Sequence, residues 1–129
     1  MPFTKFHVPE GLSPEMCHLI NREVHESLVQ TCGSHEEDDF ALVVRYNPAD
    51  MMFHPTFLGT RDPDGTIVIE ITLLGGRSDE QKEALFGDVR TRLDNIGFTA
   101  ENSIMFLNEN NTIDWSFGPE GSAKRVLGL

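Results

Sequence analysis

Two residues of this 129-residue chain, Pro2 and Arg77, stand at positions where a chain terminus could move a proton and a side chain could hold an anion. A small second residue such as proline normally allows removal of Met1, so the mature chain would begin with a secondary amine. A terminal α-amine has a pKa of about 7.7–8.0, which burial lowers and a nearby carboxylate raises. We therefore predict that Pro2 acts as a general acid or base near neutral pH.

Asp38 and Arg77 lie in contrasting sequence contexts. Asp38 belongs to an acidic run at residues 36–39, a pattern typical of a solvated loop. Arg77 stands directly before Ser78, at the predicted start of a helix, where the helix dipole disfavours a cation and favours an anion. An arginine beside free helix N–H groups indicates an anion site, and its planar guanidinium can bind one carboxylate.

The charge of the chain limits its partners. It carries 21 acidic and 10 basic residues, a net charge of −11 at pH 7. This charge argues against nucleic acid and anionic membrane surfaces as partners. We expect no signal peptide and no membrane span, because the start of the chain lacks a basic segment followed by an apolar one and no apolar run approaches roughly 18 residues. Cys17 and Cys32 are expected to be free thiols. We therefore expect a cytoplasmic protein.

Alternating and β-branched residues predict four strands, and helical spacing predicts two helices. The first helix begins at Ser13 and ends at Gly33, while the second begins at a capping box of Ser78 and Gln81 and ends at Gly97. The turn at residues 62–65 is interpreted as part of a hairpin. The predicted strands cover residues 2–8, 40–46, 67–74 and 103–107.

The two halves of the chain repeat each other, since each reads strand, helix, strand. Three positions recur at a constant offset of 65 residues: Ser13, Val24 and Leu28 against Ser78, Val89 and Leu93.

This repeat predicts an α/β (α+β) fold of two βαβ units that share one four-stranded sheet, with both helices on one face. We expect a single domain, 1–129, with repeat 1 at about 2–46, repeat 2 at about 66–108 and a tail at 109–129. The open face of the sheet needs a cover, and we expect another copy of the chain to supply it.

Four segments of the chain resemble the tautomerase superfamily, in particular its malonate semialdehyde decarboxylase branch. They are Met1-Pro2, the acidic loop ending at Asp38, GRSDEQK at 76–82 and ENNTIDWSFG at 109–118. The resemblance implies a tautomerase (MIF-like) fold, a homotrimer, and a pocket with Pro2 at its floor.

The resemblance also implies roles for individual residues. Asp38 would orient water or tune Pro2, Arg77 would bind the substrate carboxylate, and Trp115 and Phe117 would form an apolar pocket wall. The decarboxylase carries two arginines spaced Arg-x-Arg. Gly75 stands in place of the first one here, so one carboxylate-binding cation is missing from this part of the pocket.

These residues favour a keto–enol tautomerase of small enol or keto carboxylic acids. One alternative is a decarboxylase or hydratase of a three-carbon keto acid such as malonate semialdehyde, against which Gly75 argues. Another is a non-catalytic binding module, against which the intact Pro2, Asp38 and Arg77 argue. We expect no cofactor and no metal, because the chain lacks a set of His, Cys and carboxylate residues at ligand spacing.

Overall fold

The computed structural model describes all residues, 1–129. Four strands, two long helices and a short C-terminal helix follow one another along the chain. In order they are β1 (Phe3–Pro9), α1 (Pro14–Cys32), β2 (Ala41–Tyr46), β3 (Ile67–Leu74), α2 (Asp79–Asn95), β4 (Ser103–Asn110) and α3 (Ala123–Leu127). Three short 3-10 turns lie at Pro48–Asp50, Ala100–Asn102 and Thr112–Asp114.

The four strands form one sheet in the order β2-β1-β3-β4. Strands β1 and β2 pair in parallel, as do β3 and β4, while β1 and β3 pair antiparallel at the centre. Each parallel pair is joined through one long helix, so the sheet consists of two βαβ halves placed side by side. The predicted repeat and the predicted four-stranded sheet are confirmed.

The ends of both long helices follow from local side-chain chemistry. The Ser13 Oγ accepts a hydrogen bond from the Met16 amide at 3.1 Å, and α1 ends at Gly33, whose φ of 69° is left-handed. Ser78 and Gln81 form the reciprocal capping box that begins α2. These caps fix the residues at which both helices begin and at which α1 ends.

One face of the sheet packs against α1 and α2 to form the core. Alternate residues of the central strand β3 are buried, as the pleat requires when one face of a strand is covered. The largest fully buried side chains on the strands and helices include Phe6, Val8, Ile67, Ile69, Ile71, Leu73, Ile20, Val24, Leu28, Leu85, Val89 and Leu93.

The opposite face of the sheet carries exposed apolar side chains. Leu42 on β2 is 51% exposed and Phe106 on β4 is 43% exposed. Their strand partners, Lys5 and Glu70, place both on the face away from Phe6 and the other buried residues. Neither long helix covers this face.

Some predicted boundaries change. The hairpin interpretation of residues 62–65 is wrong, because no strand lies between β2 and β3 and the turn leads from an irregular segment into β3. Strand β4 continues to Asn110, because β3 supplies a partner as far as Leu74. Both cysteines are free and buried, and none of the helices is long and apolar enough to cross a membrane.

Candidate functional site

A pocket of about 610 Å³ lies where the chain start, the end of α1, the β3–α2 connection and the C-terminal tail meet. Met1, Asp38 and Arg77 all line it, although they are far apart in the sequence. Pro2 is buried directly behind Met1, at the entry to β1. The structure thus brings Asp38 and Arg77 together with the chain terminus that precedes Pro2, while Pro2 itself does not line the pocket.

The chain terminus faces a carboxylate in this pocket. The Met1 ammonium nitrogen lies 3.0 Å from Asp38 Oδ2. Backbone nitrogens of consecutive residues are at most about 4 Å apart, so the Pro2 nitrogen lies within about 7 Å of the same oxygen. Removal of Met1 would therefore leave the Pro2 secondary amine facing the pocket beside Asp38.

Local hydrogen bonds hold both partners of this pair. The Thr4 amide donates to the Phe40 carbonyl at 3.0 Å, which fixes the chain start against the entry to β2. The Asp38 amide donates to the His35 carbonyl at 3.0 Å, so the acidic loop is turned back on itself. Asp38 is therefore part of an ordered turn at the pocket and not a freely solvated loop residue.

Arg77 is fixed by two carbonyl groups from different elements. Its Nε donates to the Cys32 carbonyl at the end of α1, at 3.3 Å, and its Nη1 donates to the Leu74 carbonyl at the end of β3, at 3.0 Å. It forms no ion pair within the chain. The guanidinium is thus held in place while its remaining N–H groups stay available to an anion.

Aromatic side chains form an apolar wall of the pocket. Phe40 and Phe117 both line it, with ring centroids 5.2 Å apart. Trp115 stacks on the far side of this pair, 5.7 Å from Phe117 and nearly parallel to it. Helix α3 continues the wall with Ala123, Val126 and Leu127, which sequence reasoning did not identify.

Two predicted pocket residues do not line the pocket. The Trp115 indole N–H donates to Asn110 Oδ1 at 2.6 Å, which draws the ring behind Phe117. Gly75 lies at the end of β3, where its amide donates to the Asn110 carbonyl, and a Cβ there would come within 3.2 Å of Glu109 Oε2. Both residues instead support the wall and the loop that carries Arg77.

Carboxylates surround the Arg77 loop. The hydrogen bond from Lys82 holds the pKa of Glu109 below its usual value, and the positive charges of Lys82 and Arg77 contribute to the same shift. Glu37 and Glu120 line the pocket itself together with Asp38. Arg77 and the chain terminus are therefore set among acidic groups, and the pocket has no surplus of positive charge.

Several lining residues escaped sequence reasoning, among them Ser34, His35, Glu120 and α3. A signal for α3 exists, since Ser122 caps it and the left-handed Gly128 ends it, but five residues are too few for a clear helical period. No group of three or more His, Cys, Asp or Glu side chains is arranged to hold a metal ion.

Comparison with known sequences places this geometry in a family. A family model described as "Tautomerase enzyme" matches residues 38–118. The "Probable tautomerase YusQ" of Bacillus subtilis (strain 168) is 30% identical over 127 residues, which cover 98% of this chain and 99% of that protein. The "Probable tautomerase YrdN" of the same organism is 24% identical over 92% of each chain.

Solved structures of similar proteins support the same family assignment. FG41 malonate semialdehyde decarboxylase inhibited by 3-bromopropiolate matches with a TM-score of 0.87 at 28% identity, over 98% of this chain and 95% of that one. A malonate semialdehyde decarboxylase solved in wild-type, mutant and inactivated forms also matches at 0.87, with 26% identity over 98% and 97%. Native fused 4-OT shares the fold, with a TM-score of 0.74 at 21% identity over 98% and 99%. The chain therefore belongs to the tautomerase superfamily, in its malonate semialdehyde decarboxylase-like branch.

Proposed function

We propose that this protein is a keto–enol tautomerase of small enol or keto carboxylic acids, with Pro2 as the acid–base group after Met1 is removed. The observation that carries the proposal is the chain terminus 3.0 Å from Asp38 in a pocket that also contains Arg77. A base, a neighbouring carboxylate and an anchored cation are what proton transfer on a carboxylated enol needs.

The proposed ketonisation moves one proton between two atoms of the substrate. The neutral Pro2 amine takes the proton of the enol hydroxyl, which leaves an enolate oxygen on carbon 2. An electron pair of that oxygen then forms the C=O bond as the C2=C3 electron pair takes a proton from the Pro2 ammonium at carbon 3, which restores the neutral amine. Asp38 stabilises the ammonium between these two steps, and Arg77 holds the substrate carboxylate.

The apolar, aromatic wall of the pocket favours a substrate that carries an apolar substituent. A substrate that packs against Phe40, Phe117 and α3 would lose water from that side, which would strengthen the electrostatic interactions in the pocket. Phenylenolpyruvate, which has one carboxylate and one aromatic ring, matches the cation on one side and the aromatic wall on the other. Phenylenolpyruvate is therefore a suitable substrate for testing the proposal.

A second candidate is the decarboxylation or hydration of a three-carbon keto acid such as malonate semialdehyde. The observation that favours it is the similarity to two malonate semialdehyde decarboxylases, one of them described with decarboxylase and hydratase activities. In that reaction a cationic Pro2 would polarise the β-carbonyl and Asp38 would activate water. Gly75 weighs against it, because this position has no cation and lies beside the Glu109 carboxylate.

We also propose that the protein assembles as a homotrimer in the cytoplasm. The exposed Leu42 and Phe106 on the open sheet face support self-association, and a fused 4-OT of the same fold has been solved as a symmetric trimer.

The test of the main proposal is Pro2→Ala. We expect the turnover of phenylenolpyruvate to fall at least tenfold, since general acid–base catalysis contributes roughly 10²–10⁴-fold. The matched control is Pro9→Ala, at the other end of β1 and outside the pocket, which should keep full activity. Initial rates by ultraviolet absorbance, together with intact mass to confirm loss of Met1, provide the measurement.

Two results would contradict the proposal. One is an unchanged kcat/KM in Pro2→Ala, and the other is a wild-type protein that retains Met1, which would leave the binding module as the best description. The pKa of the Pro2 amine, measured by NMR, separates the two enzymatic candidates. A pKa below about 7.7 favours a base and tautomerisation, while a pKa above about 8.0 favours an acid and decarboxylation or hydration.

A further inference from the structure

Ser34 places a buried hydroxyl group without a partner in the wall of the pocket. The residue is only 7% exposed, and its Oγ has no hydrogen-bond partner in the chain. Two other buried side-chain atoms, Ser27 Oγ and Arg61 Nε, also have no hydrogen-bond partner, but neither residue lines the pocket. A buried hydroxyl without a partner is costly, so its presence in a pocket wall points to a partner that arrives from outside.

Backbone geometry places Ser34 at the same helix end that anchors Arg77. Gly33 ends α1 in a left-handed conformation, and the Ser34 amide donates to the Leu28 carbonyl at 3.2 Å. Two residues earlier, the Cys32 carbonyl accepts from Arg77 Nε. The arginine thus satisfies a carbonyl at the negative end of the helix dipole and brings its positive charge to the side of the pocket that Ser34 lines.

We propose that Ser34 is a substrate-binding residue whose Oγ donates a hydrogen bond to the same carboxylate that Arg77 binds. Together they form a subsite with one charged and one neutral donor, the chemical complement of a single planar carboxylate. Met1 lines the same pocket, so its removal gives the substrate room beside this subsite. The inference rests on the proposed function, since it takes a carboxylated enol as the ligand.

The experiment is Ser34→Ala, with steady-state kinetics on phenylenolpyruvate and thermal unfolding of the same preparation. We expect KM to rise about tenfold and kcat to change less than about twofold, because a hydrogen bond to a charged group is lost in the bound substrate. Thermal stability should stay the same or rise, because a buried unpaired hydroxyl is removed. Ser34→Cys, which keeps the size and offers a weaker donor, should fall between wild type and Ser34→Ala.

The matched control is Ser27→Ala, which removes an equally buried hydroxyl from α1 outside the pocket and should leave KM unchanged. An unchanged KM in a folded Ser34→Ala variant would overturn the inference. An equal rise in the KM of Ser34→Ala for the methyl ester of the substrate would also overturn it, since the Ser34 hydroxyl would then not bind the carboxylate.

Binding of phenylpyruvate, the keto acid, by calorimetry separates this inference from the proposed function. If Pro2→Ala retains activity but Ser34→Ala weakens phenylpyruvate binding about tenfold, the subsite stands and the catalytic role of Pro2 fails. If Pro2→Ala is inactive and Ser34→Ala binds phenylpyruvate as wild type does, the catalytic role stands and the Ser34 subsite is refuted.

Discussion

Arg77 shows how a single basic side chain can be positioned to bind an anion in an acidic protein. Two carbonyl groups, from Cys32 and Leu74, hold its guanidinium from two directions, and neither neutralises its charge. A guanidinium fixed in this way loses little conformational entropy when an anion binds. This is the physical reason that an arginine at the start of α2, a position unfavourable for a cation, is suited to hold a substrate.

We predict that Arg77→Ala lowers kcat/KM for phenylenolpyruvate more than tenfold. Loss of one partner from a buried charged hydrogen bond costs roughly 2–5 kcal/mol. Arg77→Lys should restore only part of the activity, because lysine lacks the planar pair of donors. Stopped-flow or steady-state absorbance assays on purified variants provide the measurement.

The methyl ester of the same enol is the control for this prediction. It has no carboxylate to bind, so its turnover should be nearly the same in wild type, Arg77→Ala and Arg77→Lys. Equal losses for the acid and the ester would mean that Arg77 acts on the fold or on Pro2, and the carboxylate role would then be refuted.

At the scale of the elements, a row of polar side chains crosses the open face of the sheet, one from each strand. The His7 ring bonds Tyr46 through Nδ1 at 2.5 Å and Glu70 through Nε2 at 2.8 Å, and Asn108 donates to the other Glu70 oxygen at 3.0 Å. The hydrogen bond from His7 outweighs the effect of burial and holds the pKa of Glu70 below its ordinary value. The row therefore ties all four strands together through an ionised carboxylate.

We predict that Glu70→Gln lowers the free energy of unfolding by about 1 kcal/mol at pH 7, the usual net value of one hydrogen bond. Because the pKa of Glu70 is lower in the folded protein, its ionised form stabilises the fold above the unfolded pKa of about 4.3. That contribution is lost as the pH falls through the folded pKa. The difference between variant and wild type should therefore shrink steadily below about pH 4.

Urea unfolding at pH 7 and at pH 3.5, at one fixed protein concentration, measures this difference. Glu101→Gln, at an exposed position away from the row, is the control and should match wild type at both pH values. A destabilisation of Glu70→Gln that is the same at both pH values would show that the ionisation of Glu70 plays no part.

Short sequence patterns predicted the helices correctly, because a helix depends on residues close in sequence. They were wrong about the hairpin, because a strand forms only where another strand pairs with it. The caps at Ser13 and Ser78 indicated both helices, because a cap depends on residues within one helical turn. The constant offset between the halves indicated the repeat, because it is a comparison of residue types along the sequence. The turn at residues 62–65 was identified, but its hairpin was not formed, since a strand needs a partner that the segment before it does not find.

The residues of the site were also predictable only in part. Pro2 and Arg77 follow from chemistry and position, whereas Asp38 follows only from the resemblance to the tautomerase superfamily. The structure places Met1, Asp38 and Arg77 around one pocket. Sequence could not show that Phe117 faces Phe40 while Trp115 turns behind it toward Asn110, because these contacts join distant parts of the chain. Ser34 was missed for the same reason, since its unpaired hydroxyl becomes visible only once its surroundings are known.

At the scale of the whole molecule, the sheet is covered on one side only. The covered face holds the apolar core, while the open face exposes Leu42 and Phe106 around the polar row. An exposed apolar surface bordered by polar groups is typical of a protein–protein interface. One face of the sheet thus forms the core of the folded chain, and the other face, as proposed, contacts other copies of the chain.

We predict that the protein sediments as a homotrimer at micromolar concentration, with a mass about three times the 14.5 kDa of one chain. Leu42→Asp should shift the equilibrium toward single chains, because it would bury a charge without a partner at the interface. Met52→Asp is the control, since Met52 is equally apolar and highly exposed but lies outside the sheet, and it should remain trimeric. A wild-type mass near that of one chain in sedimentation equilibrium would refute the homotrimer. A trimer that Leu42→Asp leaves intact would show that copies associate through a surface other than the open sheet face.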